Sequence, residues 1–362
     1  MRSTLIVAII MILIIGIMEA QSNRTKSNYR EAMFYRKLDN KKVVCELCPR
    51  YCIIPDGKRG FCRNRENIGG TLYSVVYNRP VSIGLEPIEK APFYHFLPGA
   101  MRLTLATVSC NQRCKYCQNW EISQRSVEEV ENYYATPEDI IKLAKEKKTN
   151  VICFTYTEPI VFYEYMYDIA KRARQEGLKS VVVTGGYINP QPMEELTKVV
   201  DAIKIDLKGF NEQFYHEVCG SELAPVLEAI KIVKNSGVHL EIVNLVVPGL
   251  NDDTNEIRKM CLWLRENIGS DIPIHFSRFF PQYKLQRLPP TPITTLERCA
   301  QIAKQVGLKY VYLGNVFGHD LENTYCPQCH RLLIKRQGYS VLENNINKGR
   351  CKLCGEKIYG VF

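Results

Sequence analysis

Eleven of the fifteen cysteines in this 362-residue chain fall into three tight groups. Cys45, Cys48, Cys52 and Cys62 form the first, Cys110, Cys114 and Cys117 the second, and Cys326, Cys329, Cys351 and Cys354 the third. An odd total on a chain this long sits badly with a closed set of disulfides, so the groups read as metal ligands in a reducing compartment. The length fits two average domains, or one barrel-sized domain with appendages. With 46% hydrophobic, 24% charged and 10% aromatic residues, the composition excludes a disordered or fibrous chain. A formal charge of +10 permits an acidic partner without identifying one.

Residues 4–18 are an apolar run behind Arg2, similar to the hydrophobic part of a signal peptide. A helix of that length would reach only about 22 Å, short of a ~30 Å hydrocarbon core. The cations after it (Arg24, Lys26, Arg30, Arg36 and others) outnumber Arg2. The expectation is therefore a cytoplasmic body, free or tethered to a membrane through residues 4–18; a start at Met18 or Met33 is the third option. Residues 1–40 read as this leader and a polar linker, 41–100 as a cysteine-rich N-terminal module and connection, 101–320 as the large domain, and 321–362 as a C-terminal module.

In the large domain β-rich runs at 102–108, 150–155, 179–184, 201–206, 240–246 and 273–276 alternate with helical stretches. One helix spans 159–176, behind Pro159 and ahead of Gly177. Another opens at Thr136-Pro137-Glu138-Asp139, with a hydroxyl cap, proline at the first position and acids in the first turn. Repeated βα units force parallel strands, giving an α/β fold that is either a doubly wound sheet or a partial barrel.

Cys110-Asn-Gln-Arg-Cys114-Lys-Tyr-Cys117 follows the first of these strands. Three thiolates on one loop can hold three corners of an iron-sulfur cube, with no fourth cysteine close by. Structural zinc wants four ligands, so the spacing favours a cluster whose open iron takes a small molecule.

The CxxxCxxC pattern, with Tyr116 before its last cysteine, resembles the radical S-adenosylmethionine (radical SAM) superfamily. Further segments resemble the radical SAM enzymes of the AmmeMemoRadiSam system, which are akin to pyruvate formate-lyase activating enzymes. They are Glu86-Pro-Ile-Glu89-Lys90, Tyr94-His95-Phe96-Leu97-Pro98-Gly99, Thr155-Tyr-Thr157-Glu158-Pro159, His275-Phe-Ser-Arg278-Phe-Phe-Pro281, Gly314-Asn315 and the terminal CxxC pair. The resemblance runs from about residue 41 to the end. It implies a partial (β/α)6 TIM-type barrel with a 4Fe-4S cluster on Cys110, Cys114 and Cys117 at the carboxyl ends of the strands. S-adenosylmethionine on the open iron would be cleaved to a 5'-deoxyadenosyl radical that abstracts hydrogen from a small-molecule or protein substrate. The electron would come from a donor such as flavodoxin or ferredoxin. The resemblance further implies that Glu158 and Pro159 meet the methionine ammonium, that Thr184 and Gly185 approach the ligand with backbone, and that Asp206 and Lys208 meet the methionine carboxylate and ribose. Activating enzymes carry Thr-Asn-Gly where this chain has Thr184-Gly185-Gly186, so a side-chain amide is missing here. Tyr116, Asn244 and His275 complete the candidates for the cofactor site, whereas a histidine in an apolar run also suits a hydrogen-bonded core position.

Cys326-x-x-Cys329 and Cys351-x-x-Cys354 have zinc-ribbon spacing and imply a structural zinc. Seven cations, Arg331, Lys335, Arg336, Lys348, Arg350, Lys352 and Lys357, face two acids in this stretch, which keeps nucleic acid open as a partner without favouring it. Cys45, Cys48, Cys52 and Cys62 hold zinc or a second iron-sulfur cluster, and spacing does not separate the two. Cys153, Cys219, Cys261 and Cys299 read as small hydrophobes of strands and helices. Two rivals stand beside the radical enzyme: an activating enzyme acting on a partner's glycine, and a non-catalytic metal-dependent sensor or nucleic-acid-binding protein.

Overall fold

The structure, a computed structural model, describes residues 29–362; the apolar run at 4–18 lies outside the described residues. Eight strands form the central sheet: β1 (Ser82–Pro87), β2 (Met101–Ala106), β3 (Val151–Phe154), β4 (Lys179–Thr184), β5 (Ala202–Asp206), β6 (His239–Val246), β7 (Ile274–Arg278) and β8 (Val311–Gly314). Their order across the sheet is their order along the chain. β1 lies antiparallel to β2, and every later neighbour is parallel. The sheet therefore carries seven parallel strands where the sequence suggested six. It is mixed, and its two outer strands do not pair to close it into a barrel.

One helix of eight residues or more crosses over between each pair of parallel strands: α1 (Pro137–Glu146), α2 (Tyr163–Gln175), α3 (Pro190–Thr197), α4 (Leu223–Ser236), α5 (Thr254–Asn267) and α6 (Ile293–Val306). Helices cover the strands, and β3 is buried at all four positions, as apolar parallel strands require. At α1 the Thr136 hydroxyl accepts from the Asp139 amide while the Asp139 carboxylate accepts from the Thr136 amide, a full capping box. Gly237 and Gly307, at φ 79° and 101°, end α4 and α6 in the left-handed conformation that glycine tolerates.

Residues 30–37, read as linker from their polarity, belong instead to the N-terminal module. Arg30–Glu31 pairs with Thr71–Ser74, and Tyr35–Lys37 pairs with Val43–Cys45. These are edge strands with mostly exposed side chains, so burial leaves no apolar signature in their sequence. The module is held to α2 by a buried ion pair, Arg65 with Glu164, and by the Met33 amide donating 2.8 Å to the same carboxylate.

The C-terminal module is a three-stranded antiparallel sheet plus a hairpin. It packs on Tyr94, Tyr310 and Tyr312 through Leu333, Ile334 and Ile358. Arg336, one of the seven cations counted in this stretch, is buried here. Its guanidinium donates 2.8 Å to the Tyr94 carbonyl and stacks on the Tyr94 ring. Among the described residues no helix is long and apolar enough to cross a membrane.

Candidate active site

The loop after β2 carries the three central cysteines, and other segments lock it in place. The Arg113 and Lys115 amides donate to the Cys219 and Val218 carbonyls at 2.8 and 2.9 Å. Ser109, just before Cys110, holds φ 75°, and Tyr156, just before Thr157-Glu158, holds φ 68°. Non-glycine residues in that region are uncommon and cluster at functional sites.

A cavity of about 480 Å³ opens at the carboxyl ends of the strands, within the size range of small-molecule sites. Cys110, Cys114 and Cys117 line it together with Tyr116, Glu158, Thr184, Gly185, Asp206 and Lys208. These residues come from a loop and three successive strand ends, and nine of the sequence-derived candidates meet there.

Glu158 is buried, and burial pushes its carboxyl up from the ordinary range. The Thr184 hydroxyl donates to it at 2.6 Å, and the Gly185 and Ile160 amides at 2.8 and 3.2 Å. Burial alone would raise Asp206, but Lys204 and Lys208 on either side outweigh it and hold the carboxylate charged. Lys208 is desolvated too, yet the Cys114 thiol and Asp206 raise it. Cys110 and Cys117 are raised by burial, whereas Cys114 is lowered, first by its hydrogen bond to Cys219. The cavity thus pairs a thiol-lined mouth with a carboxylate and an adjacent acid-base pair of fixed charge.

Gly185 stands where the comparison with activating enzymes expected an amide. A Cβ there would lie 2.2 Å from Gln112 Oε1 and 3.3 Å from Glu158 Oε2. Gln112 lines the cavity, and its amide nitrogen donates 2.8 Å to Ser221. A side-chain amide therefore does reach this point, but from the cysteine loop. The only sequence signal for it was its place inside the motif.

Three candidates fall elsewhere. Pro159 opens the 3-10 turn before α2 and is not among the cavity's lining residues. His275 lies near the start of β7, one layer below, where its Nε2 is 2.7 Å from Glu241. Asn244 donates 2.8 Å to the Leu207 carbonyl and so braces the Asp206 strand end. Cys219 is no mere core hydrophobe, since its sulfur lies 3.4 Å from the Tyr116 hydroxyl and it bonds Cys114. Cys153 receives the Arg102 guanidinium at 2.7 Å.

In the third group, all four sulfurs lie within 4.8 Å of one another. Cys326 and Cys354 are 3.5 Å apart, and Cys329 and Cys351 are 3.9 Å apart.

The sequence profile of the radical SAM superfamily matches residues 104–261, which span the cysteine loop and the strand ends just described. The chain belongs to the radical SAM superfamily. It is 49% identical over 331 residues to the uncharacterized protein MJ0808 of Methanocaldococcus jannaschii, covering 91% of this chain and 98% of that one. To the pyruvate formate-lyase 1-activating enzyme of Escherichia coli it is 24% identical over 221 residues, 56% of this chain and 88% of the relative. A radical SAM methyltransferase from Sphaerobacter thermophilus aligns with a TM-score of 0.47 at 14% identity, covering 60% of this chain and 67% of that chain. The chain is a radical SAM enzyme related to the activating enzymes, a family that implies a 4Fe-4S cluster and S-adenosylmethionine.

Proposed function

We propose that the protein cleaves S-adenosylmethionine reductively and uses the radical to take hydrogen from its substrate. The single observation that carries this is the cavity in which the three thiols of one loop meet Glu158, Asp206 and Lys208. When bound, a 4Fe-4S cluster with one open iron supplies one electron to the sulfonium, breaking a carbon-sulfur bond to give methionine and a 5'-deoxyadenosyl radical. Cys110, Cys114 and Cys117 hold the cluster. Glu158, fixed by three donors, keeps one lone pair, on Oε2, for an ammonium. Lys208 offers its charge to a carboxylate, and Asp206 accepts from a ribose hydroxyl. Gly185 lets backbone and the Gln112 amide come close to the ligand. A flavodoxin or ferredoxin serves as electron donor.

Anaerobic reconstitution of the protein, reduction with dithionite and chromatography for 5'-deoxyadenosine test the proposal. Product is expected from the wild type and not from Cys114→Ala; unimpaired cleavage in that variant would sink the cluster assignment.

The relatives named as activating enzymes support a second reading, in which the hydrogen is taken from a glycine of a partner protein. A glycyl radical signal on a co-purified partner would decide for it. We also assign a structural zinc to Cys326, Cys329, Cys351 and Cys354. At about 2.3 Å per Zn-S bond a tetrahedron sets sulfurs about 3.8 Å apart, close to the 3.5 and 3.9 Å separations here.

A further inference from the structure

The N-terminal cysteines have no part in the cavity, yet they adjoin its cysteine loop. They come from three places: Cys45 from a strand end, Cys48 and Cys52 from the loop after it, and Cys62 from a second turn. Cys45 lies near Cys48 and Cys62, and Cys52 lies near Cys62. Each of three thiols also faces an amide donor: Phe61 at 3.5 Å from Cys52, Arg50 toward Cys48, and Asn64 toward Cys62. The buried Arg65 guanidinium reaches to 3.7 Å from Cys45. Metal-bound thiolates are stabilised by such donors, and here every thiol of the quartet has one.

The contact with the catalytic loop is direct. Ser109, next to Cys110, donates its hydroxyl to the Cys62 carbonyl. Arg50 donates 2.7 Å to the Asn111 carbonyl, and Arg113 donates to the carbonyls of both Phe61, at 2.9 Å, and Cys110, at 2.6 Å. Asn111, next to Cys110, lies beside the Cys48 thiol, and its side-chain amide donates 2.7 Å to the Tyr187 carbonyl. Cys48, Cys52 and Cys62 are partly buried, so the group lies close to the surface. Among the described residues the C-terminal quartet is the one whose sulfurs gather within 4.8 Å of one another, tightly enough to hold a single ion. The N-terminal quartet shares its wider spread with the catalytic trio.

We propose that Cys45, Cys48, Cys52 and Cys62 hold a second iron-sulfur cluster that relays single electrons to the cluster on Cys110, Cys114 and Cys117. A low-potential one-electron carrier, a reduced flavodoxin or ferredoxin, is oxidised by one electron at the N-terminal cluster. That electron passes to the catalytic cluster and is the one the sulfonium consumes, so the N-terminal cluster returns to its starting state. The relay rests on the S-adenosylmethionine reading above; the metal site does not.

The experiment counts metal before it measures turnover. The triple variant Cys110→Ser/Cys114→Ser/Cys117→Ser is reconstituted anaerobically and analysed for iron, labile sulfide and zinc, and for a paramagnetic signal on reduction. It is expected to keep about half the iron and sulfide of the wild type; an iron-free protein, or zinc in place of iron, overturns the site. This result holds whether or not S-adenosylmethionine is ever cleaved. The double variant Cys48→Ser/Cys52→Ser, checked for native circular dichroism, is expected to form 5'-deoxyadenosine normally with dithionite and several-fold more slowly with reduced flavodoxin. An unchanged flavodoxin-driven rate overturns the relay. Should the double variant fail to fold, the single variant Cys52→Ala, at a partly exposed thiol outside the cavity, replaces it with the same expectation.

Discussion

At the scale of single residues, the site turns on a volume exchange between Gly185 and Gln112. A methyl group at 185 lands 2.2 Å from the Gln112 carboxamide oxygen, so that side chain must swing away and give up its 2.8 Å bond to Ser221. Gly185→Ala is therefore expected to weaken S-adenosylmethionine binding by about tenfold, the worth of one hydrogen bond, with little change in melting temperature. Adding Gln112→Ala frees the space, and the double variant should bind no worse than Gln112→Ala alone. Titration calorimetry on all three variants checks this, and strictly additive losses would refute the exchange. The cysteine motif and the acids at strand ends were legible in the sequence because their chemistry is carried by residue type and spacing. Gln112 and Cys219 were not, because their roles exist only through neighbours brought in by the fold, some 70 to 110 residues away.

At the scale of elements, the βα alternation was readable where strands are long or wholly apolar, and α1 announced itself through its cap. The structure adds β1 and β8. β8 has only four residues, Val311–Gly314, and β1 contains Gly84 and ends at Pro87, so neither offers a strong period. Their place comes from pairing: β1 against β2 at one margin and β8 against β7 at the other. The capping box of α1 provides an element-level test. Thr136→Ala removes the hydroxyl that accepts from Asp139 at 3.2 Å and should cost about 1 kcal/mol of stability. Thr136 lines none of the catalytic cavity, so 5'-deoxyadenosine formation per folded molecule should not change. Urea midpoints and single-time-point product assays read the two effects separately, and a loss of product without a loss of stability would contradict the assignment.

At the scale of the whole molecule, the C-terminal module is joined to the sheet by a buried polar seam that no motif could reveal. Glu241 on β6 accepts from the Tyr94 and His95 amides at 3.1 and 2.8 Å and from His239 and His275 at 3.0 and 2.7 Å. His95 in turn bridges to the module, with Nδ1 2.6 Å from the Tyr359 carbonyl and Nε2 2.5 Å from the Tyr312 hydroxyl. A carbonyl only accepts, so Nδ1 carries the proton and Nε2 receives the one from Tyr312, which makes the neutral ring the fully satisfied form. Burial, reinforced by the nearby Arg336 and His239 and only partly opposed by Glu241, pushes His95 down to about 3. The unfolded chain takes up a proton on this ring below about pH 6.5, while the folded protein does not until about pH 3. Stability should therefore fall as pH drops through that window, at up to about 1.4 kcal/mol per unit from this residue. The Glu241 carboxyl, which burial would raise but its two histidine partners hold far below the ordinary range, adds a loss in the same direction below about pH 4.3. His95→Gln keeps one donor and one acceptor without a titrating group. It should lower stability at pH 7 by about 1 to 3 kcal/mol and flatten the dependence between pH 6.5 and 5. Acid release of a bound cluster shifts both proteins alike, so the difference between their urea midpoints across that range isolates the ring; equal slopes would show that His95 does not set the acid sensitivity of the seam.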